Sequence, residues 1–350
     1  MGEDYKPSED LTSGVPTNPA LIKIPEAMSI AHDNYQSRFS SDIPSVILFV
    51  VQEGETNTVD QRMLEFNLWN NHRVPVVRMS LTKGSTRLQL DPDNGALYIL
   101  PDTSADGEKG TVSVKSEVSV VYFRAGYAPT DYPDGYDGIE WDTRELMERS
   151  RAIKSPQLGY HLAGTKKVQQ ELARPGVLER FFDEKEIGEG VVEKMRRAFA
   201  GLYSLGDDVV KEDLEAIQEA ISGKDGQYVL KPQREGGGYN YYGEELAKKI
   251  KENVEESDGT LKLGEALAEF ILMQRLFPPK QNAVLLRAGL VEGSGESVSE
   301  LGCFAAIVRS HDGKILHNEY SGFLLRTKFS NVDEGGVASG FATLSSPYLC

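Results

Sequence analysis

The stretch Tyr228–Glu245, YVLKPQREGGGYNYYGEE, restricts what this chain can fold into more than any other. It reads as a short apolar strand bearing Lys231, a turn with Arg234 and Glu235, three consecutive glycines at Gly236–Gly238, and a helix start near Gly243. Glycine loses more backbone freedom on ordering than any other residue, so such a run belongs where main chain approaches a ligand closely or takes positive φ. A strand-borne lysine, a carboxylate and an amide-rich loop together suit a nucleoside triphosphate with Mg²⁺. The lysine neutralises phosphate charge, loop N–H groups cradle oxygens, and the carboxylate takes the metal. The loop matches neither a Walker A sequence nor a dinucleotide-binding glycine turn. On the residues alone, a phosphate-holding lid and an ordinary flexible loop both stay open.

At 350 residues the chain has room for about two domains, each with a core. The formal net charge of −16 argues against nucleic acid as a general partner, since phosphate backbones need a basic face, but leaves room for a local cationic pocket. The longest apolar run, around Val46–Val51, is far too short to span a bilayer, and the acidic start MGEDYKPSED is neither a secretory nor a transit sequence. Cys303 and Cys350 cannot build a disulfide framework, which fits a reducing cytosol and predicts a cytoplasmic protein. Cys303 lies in an apolar strand pattern and is expected in the core. The five histidines lack metal-ligand spacing, so metal chemistry is expected to be Mg²⁺ on oxygen.

Periodicity predicts a helix near Pro25–Phe39, then an α/β unit: strands at Ser45–Val51, Val74–Met79, Ala96–Leu100 and Val118–Arg124, with a helix at Val59–Asn70. Asp102–Ser116 reads as a polar loop, and Asp142–Ile153 as a helix with Thr143 as a possible cap. Helices follow at Val191–Leu205, Val209–Ser222 and Glu244–Glu255, with strands at Phe270–Leu276 and Ala283–Ala288. A hairpin pairs Ser297–Arg309 with Lys314–Thr327 across His311-Asp312-Gly313. The domain boundary is placed near Arg149–Leu158. Lys166 and Lys231, far apart in sequence, are expected in different subdomains.

The glycine-rich segment resembles the corresponding loop of eukaryotic-type glutathione synthetases, which are ATP-grasp ligases. Four more blocks are similar to that family and stand in its order: QEGETNTVDQR at Gln52–Arg62, VVYFRAGY at Val120–Tyr127, HLAGTKKVQQEL at His161–Leu172, and LLRTKFSNVDEGGVASG at Leu324–Gly340. The resemblance spans about Ser45 to the C-terminus. It implies mixed α/β and α+β architecture. Residues 1–43 would be a remnant of an N-terminal helical region, 44–155 a parallel α/β substrate-binding domain inserted into the fold, and 156–350 an ATP-grasp domain with a Gly-rich lid.

By the same resemblance, Lys166 and Lys231 neutralise the transferring phosphates, Glu235 holds Mg²⁺, and Gly236, Gly237, Gly238, Asn240 and Tyr242 contact nucleotide. Met273, Gln274, Arg275 and Leu276 match a hinge whose backbone reads adenine. The family usually has an acidic residue where Gln274 stands, so only its main-chain role carries over. Glu300 matches a ribose-binding acid, though an ordinary solvent-facing carboxylate fits equally. Arg326 and Lys328, two apart on one strand, share a face. Arg326 is implied to bind the substrate carboxylate, and Lys328 and Glu334 to reach nucleotide. Lys231 and Arg326 are the implied catalytic residues. Val337 and Ala338 offer main chain to substrate, while Glu55, Asn57, Gln61, Arg124 and Tyr127 line the dipeptide pocket. Helix capping is the alternative for Asn57 and Gln61.

The implied reaction joins γ-glutamylcysteine and glycine at the expense of ATP, through an acyl phosphate, in a homodimer with no nucleic-acid or membrane partner. Family members carry a further segment ahead of the aligned part, supplying a second acidic Mg²⁺ ligand with its asparagine, a Ser-rich loop and an arginine. No such acidic-Asn-Thr-Ile-Ser block occurs between Met1 and Pro44. The expectation is therefore a truncated chain that binds and catalyses weakly. The alternatives are a non-catalytic ligand-binding or dimerising form, or another carboxylate–amine ligase.

Overall fold

The computed structural model describes residues 14–102, 114–223, 226–233, 239–257, 260–337 and 339–349. Most of the predicted loop at Asp102–Ser116, and Glu235, Gly236, Gly237, Gly238 and Ala338, lie outside the described residues. The chain divides into two compact units. One comprises Met1–Leu158, Ser299–Thr327 and Leu344–Cys350; the other comprises Gly159–Val298 and Lys328–Thr343. Lys166 and Lys231 both fall in the second, as does most of the expected ATP-grasp domain.

The first unit is organised by a six-stranded sheet. Its central strand, Ser45–Val50, is paired in parallel with Val76–Met79 on one side and Ser116–Phe123 on the other. Val46, Leu48 and Val50 enter one core cluster with Leu97, Ile99 and Met147. Ile47 and Phe49 enter the opposite one with Met28, Ala31, Leu64 and Leu68. A strand covered on both faces has no polar side to show, which is why the sequence there is continuously apolar. Helix Ala20–Arg38 begins earlier than expected, with Pro25 buried inside it. Helix Val59–Asn67 continues into a wider π turn, Leu68–His72.

Helix Ile139–Arg149 corrects the expected Asp142–Ile153. Gly138 precedes it, and Thr143 is a buried interior residue whose hydroxyl donates to the Ile139 carbonyl at 2.7 Å, so it is not the cap. Ile153 instead starts a short strand, Ile153–Ser155, paired in parallel with Ser116–Phe123. On that strand burial pushes the Lys154 ammonium down to about 8, against the opposing pull of Glu148, while its Nζ donates to the Ser150 carbonyl. An unfolded lysine keeps its proton to about pH 10.4. Between these values the unfolded chain binds more protons, so stability should rise with pH from about 8 to 10.4. Lys154→Met should remove that rise, which thermal melts across this range would read.

The second unit holds an antiparallel sheet ordered Leu202–Tyr203, Phe270–Gln274, Tyr228–Pro232, Tyr241–Tyr242. Leu230 and Leu272 pack with Ala216, Ile217 and Ala220 of helix Lys211–Ser222 and with Leu246 and Ile250 of helix Gly243–Lys251. The expected helix Val191–Leu205 stops at Arg196, because Leu202 and Tyr203 pair with Met273 and Leu272. The expected Glu244–Glu255 stops at Lys251 and is followed by strand Val254–Ser257.

Strand Leu290–Arg309 begins well before the expected Ser297, its first part pairing with Gln281–Arg287 across Ala288-Gly289, both at positive φ. Its partner Ile315–Phe329 completes the predicted hairpin. Cys303 is exposed rather than in the core, as are Leu301, Phe304 and Ile307. An apolar pattern forces burial only where another layer covers it.

Candidate functional site

The sheet of the second unit sorts its side chains by alternation. Leu230 and Leu272, directly opposed, point to the helices; Lys231 and Ile271, the next pair, therefore point to the other face. Val229 shares that face and is opposed by Met273 on one side and Tyr242 on the other. One sheet face thus gathers Lys231, Met273 and Tyr242, three residues implied for nucleotide. Beside it lies a cavity of about 420 Å³ lined by Ile271, Thr165, Lys167, Gln170, Gln233 and the loop Ser204–Asp208.

Helix Lys166–Ala173 starts over this face. Its N-cap Thr165 accepts from Val168, and the Lys167 N–H donates to Gln233 Oε1 at 3.1 Å, tying the helix to the residue two beyond Lys231. Lys166, its first residue, is half-buried. The Lys167 ammonium donates to Asp208 at 2.6 Å and to Ser204 at 3.1 Å. Burial would raise the Asp208 carboxyl, but Lys167 and Ser204 outweigh it and hold it down at about 2.

The implied hinge is only partly turned to this face. Gln274 opposes Tyr228 on the helix-facing side, and its side-chain oxygen accepts from Gly201 at 2.9 Å. The main-chain N–H groups of Gln274 and Arg275 are spent on Gly201 and Gln227. Leu276 is exposed.

A polar cluster completes this side. Lys328 Nζ donates to the carbonyls of Asp333 and Glu334 at 2.7 and 2.8 Å, and Asn240 donates to the Glu334 carboxylate at 2.9 Å. The Arg275 guanidinium bonds the Asp333 carboxylate and lies 5.3 Å from the Tyr242 ring centre. Burial, then Glu334, raises the Tyr242 phenol above its ordinary value. Val337 accepts from the Gly340 N–H at 3.0 Å within the loop that follows.

In the first unit, a cavity of about 390 Å³ opens at the C-terminal ends of the parallel strands, lined by Gln52, Glu53, Ser80, Thr82, Thr130 and Asp131 among others. Ligands in open α/β sheets bind at such ends. The implied dipeptide residues stand nearby in sequence but do not line it. Glu55 accepts from the Asn57 N–H at 2.7 Å and from Gln61 Nε2 at 2.9 Å, and Arg78 donates to Gln61. Thr58 precedes the helix, so Asn57 is not its cap. Arg124 is paired with Asp60. The N–H groups of Gly126, Tyr127 and Ala128 converge on one oxygen of Asp131 at 2.9, 3.2 and 3.1 Å. Arg326 is paired with Glu300, so the two residues implied for different ligands bond each other.

The family model of the eukaryotic glutathione synthase ATP-binding domain matches residues 2–349. The chain belongs to the eukaryotic glutathione synthase family.

Members of that family similar to this chain include the chloroplastic glutathione synthetase of Solanum lycopersicum, 41% identical over 97% of this chain and 55% of that protein. The glutathione synthetase of Dictyostelium discoideum is 38% identical over 95% of this chain and 63% of its own length. That of Homo sapiens is 40% identical over 87% and 57% respectively. The chain thus spans somewhat over half the length of these relatives. A glutathione synthetase-like effector of Globodera pallida in its apo form has the same fold, with TM-score 0.64 over 96% of this chain and 62% of that one at 20% identity.

Within the glutathione synthase pattern, sequence reasoning missed Asp333, Lys167, Arg78 and Asp131. Asp333 stands beside the singled-out Glu334, and Lys167 beside Lys166. Arg78 carries no sequence signal, because its partner Gln61 meets it only in the fold, and Asp131 reads as an ordinary loop carboxylate although the amides it accepts from lie only a few residues before it.

Proposed function

We propose that this chain is the ATP-binding part of a ligase that joins γ-glutamylcysteine to glycine, giving glutathione. The observation that carries the reading is the gathering of Lys231, Tyr242 and Met273 on one sheet face, with Asn240, Arg275, Lys328 and Glu334 joined in one cluster of the same unit. The family match and the relatives' names support the substrate assignment.

In this reading the adenine lies along Met273–Leu276 and the phosphates meet Lys166 and Lys231. The cysteinyl carboxylate attacks the γ-phosphorus, ADP leaves, and the glycine amine displaces phosphate from the acyl phosphate, losing a proton. Positioning and cationic charge supply the rate, so no nucleophilic side chain is required. Val337 and Ala338 are assigned to substrate through main chain, Glu55, Asn57, Gln61, Arg124 and Tyr127 hold the γ-glutamyl end, and Arg326 holds the substrate carboxylate. Glu300 takes the ribose, while also tempering the Arg326 charge.

Among the described residues no group of three His, Cys, Asp or Glu could hold a metal. Nucleotide-borne Mg²⁺ needs only one or two carboxylates, because phosphate oxygens supply the rest. Glu235 is the ligand we assign, and Mg²⁺ there would neutralise charge on the transferring phosphoryl group. We further place the protein in the cytoplasm as a homodimer. No helix among the described residues is long and apolar enough to cross a membrane.

The reading is tested by ADP release from the purified chain with Mg-ATP and γ-glutamylcysteine, with and without glycine. Glycine-dependent release with glutathione as product is expected. Release that responds instead to another amino acid would redirect the acceptor assignment, and no release from folded protein would overturn the reading.

A further inference from the structure

We propose that Asp333 is a positioning residue for the nucleotide, holding the Arg275 guanidinium against Tyr242 so that the strand end and the loop after Lys328 form one preset wall. This rests on the nucleotide reading above.

Asp333 is the residue on which three implied nucleotide side chains meet. Its carboxylate takes the Arg275 guanidinium. Its carbonyl accepts from Lys328 Nζ at 2.7 Å and from the Tyr242 hydroxyl at 3.4 Å. Arg275 is held from its other end as well, since its N–H donates to the Gln227 carbonyl at 2.7 Å and its guanidinium lies 5.4 Å from the Phe277 ring. A planar cation set between two rings and a carboxylate has little rotational freedom left.

The ion pair is too exposed to add much to folding stability, since Asp333 is about half accessible (49%). Its consequence is instead expected in binding. A wall ordered beforehand spares the ligand the cost of ordering two long side chains and a loop. Aspartate neutralises Arg275 and so makes it a shaped surface rather than a competing phosphate ligand.

Titration calorimetry with Mg-AMPPNP on the full chain tests this. Asp333→Asn and Arg275→Gln should each weaken binding about twofold to fivefold, the upper part of the range an ion pair of this exposure commands. The double variant should be no weaker than either single, and Asp333→Glu should recover part of the loss. γ-Glutamylcysteine affinity and melting temperature should not move. Unchanged AMPPNP binding in Asp333→Asn, additive losses, or an equal loss for γ-glutamylcysteine would each overturn the proposal while leaving the nucleotide reading intact. Failure of the parent chain to bind AMPPNP would overturn both.

Discussion

Lys231→Ala is expected to lower glycine-dependent ADP release by about a hundredfold to a thousandfold, the cost of removing one preorganised group aimed at developing charge. The position is held from both sides. Lys231 sits in the middle strand pair of the sheet, opposed by Ile271, and its neighbour Leu230 is fully buried against the helices. Alternation then leaves the lysine side chain one direction to take, away from the core and beside the cavity that Ile271 and Gln233 line. Alanine keeps every main-chain bond of the strand, so the loss should come without a change in melting temperature. Lys231→Arg should recover only part of the rate, because a broad planar guanidinium does not replace a compact ammonium at a phosphate. A rate within a few-fold of the parent in Lys231→Ala would remove this lysine from the chemistry.

How far the sequence foretold this arrangement depended on whether the deciding interaction was local. Ser45–Val50 was legible because burial on both faces writes itself as an unbroken apolar run. Lys231 and Asn240 were legible because a glycine run between two regular elements is locally unusual. By contrast, Ala198–Leu205 has helical composition, and its helix is cut short by partners about seventy residues away: Met273 and Leu272 recruit Leu202 and Tyr203, and the Gln274 amide locks onto Gly201. The fate of Gln274 followed from the same pairing, since register alone decides which side of the sheet it faces. Thr143 looked like a helix cap because threonine beside acidic residues is one; the observed start at Ile139 turns it inward. Asp333 and Asp131 were hidden for a third reason. A carboxylate in a polar loop is usually solvated, and only the folded chain shows which cations or amides it meets.

The buried ion pair under helix Ala20–Arg38 is where the largest loss of stability is expected. Glu117 is almost completely enclosed, at 1% accessible, and one of its oxygens accepts from both the Tyr35 hydroxyl and the Arg151 guanidinium, the latter at 2.7 Å. Arg151 also donates to the Tyr35 oxygen at 2.9 Å and stacks 4.3 Å from the Phe39 ring centre. Burial and the Glu117 charge both raise the Tyr35 phenol, while Arg151 pulls it down, so the tyrosine stays a donor. These contacts join a helix, the strand Ser116–Phe123 and the segment before Ile153, stretches that approach only in the fold. Arg151→Met keeps the stem volume against Phe39 but leaves a buried carboxylate with one neutral donor. Removing one partner of such a pair typically costs about 3–5 kcal/mol, equivalent to a drop on the order of 10 °C in the melting of this unit. Most of that cost belongs to the stranded charge rather than to the lost bond. Adding Glu117→Gln to Arg151→Met should therefore restore much of the loss, which calorimetric melts of the parent, single and double variants would show. A double variant as unstable as the single, or a single as stable as the parent, would mean that this pair does not hold the helix to the sheet.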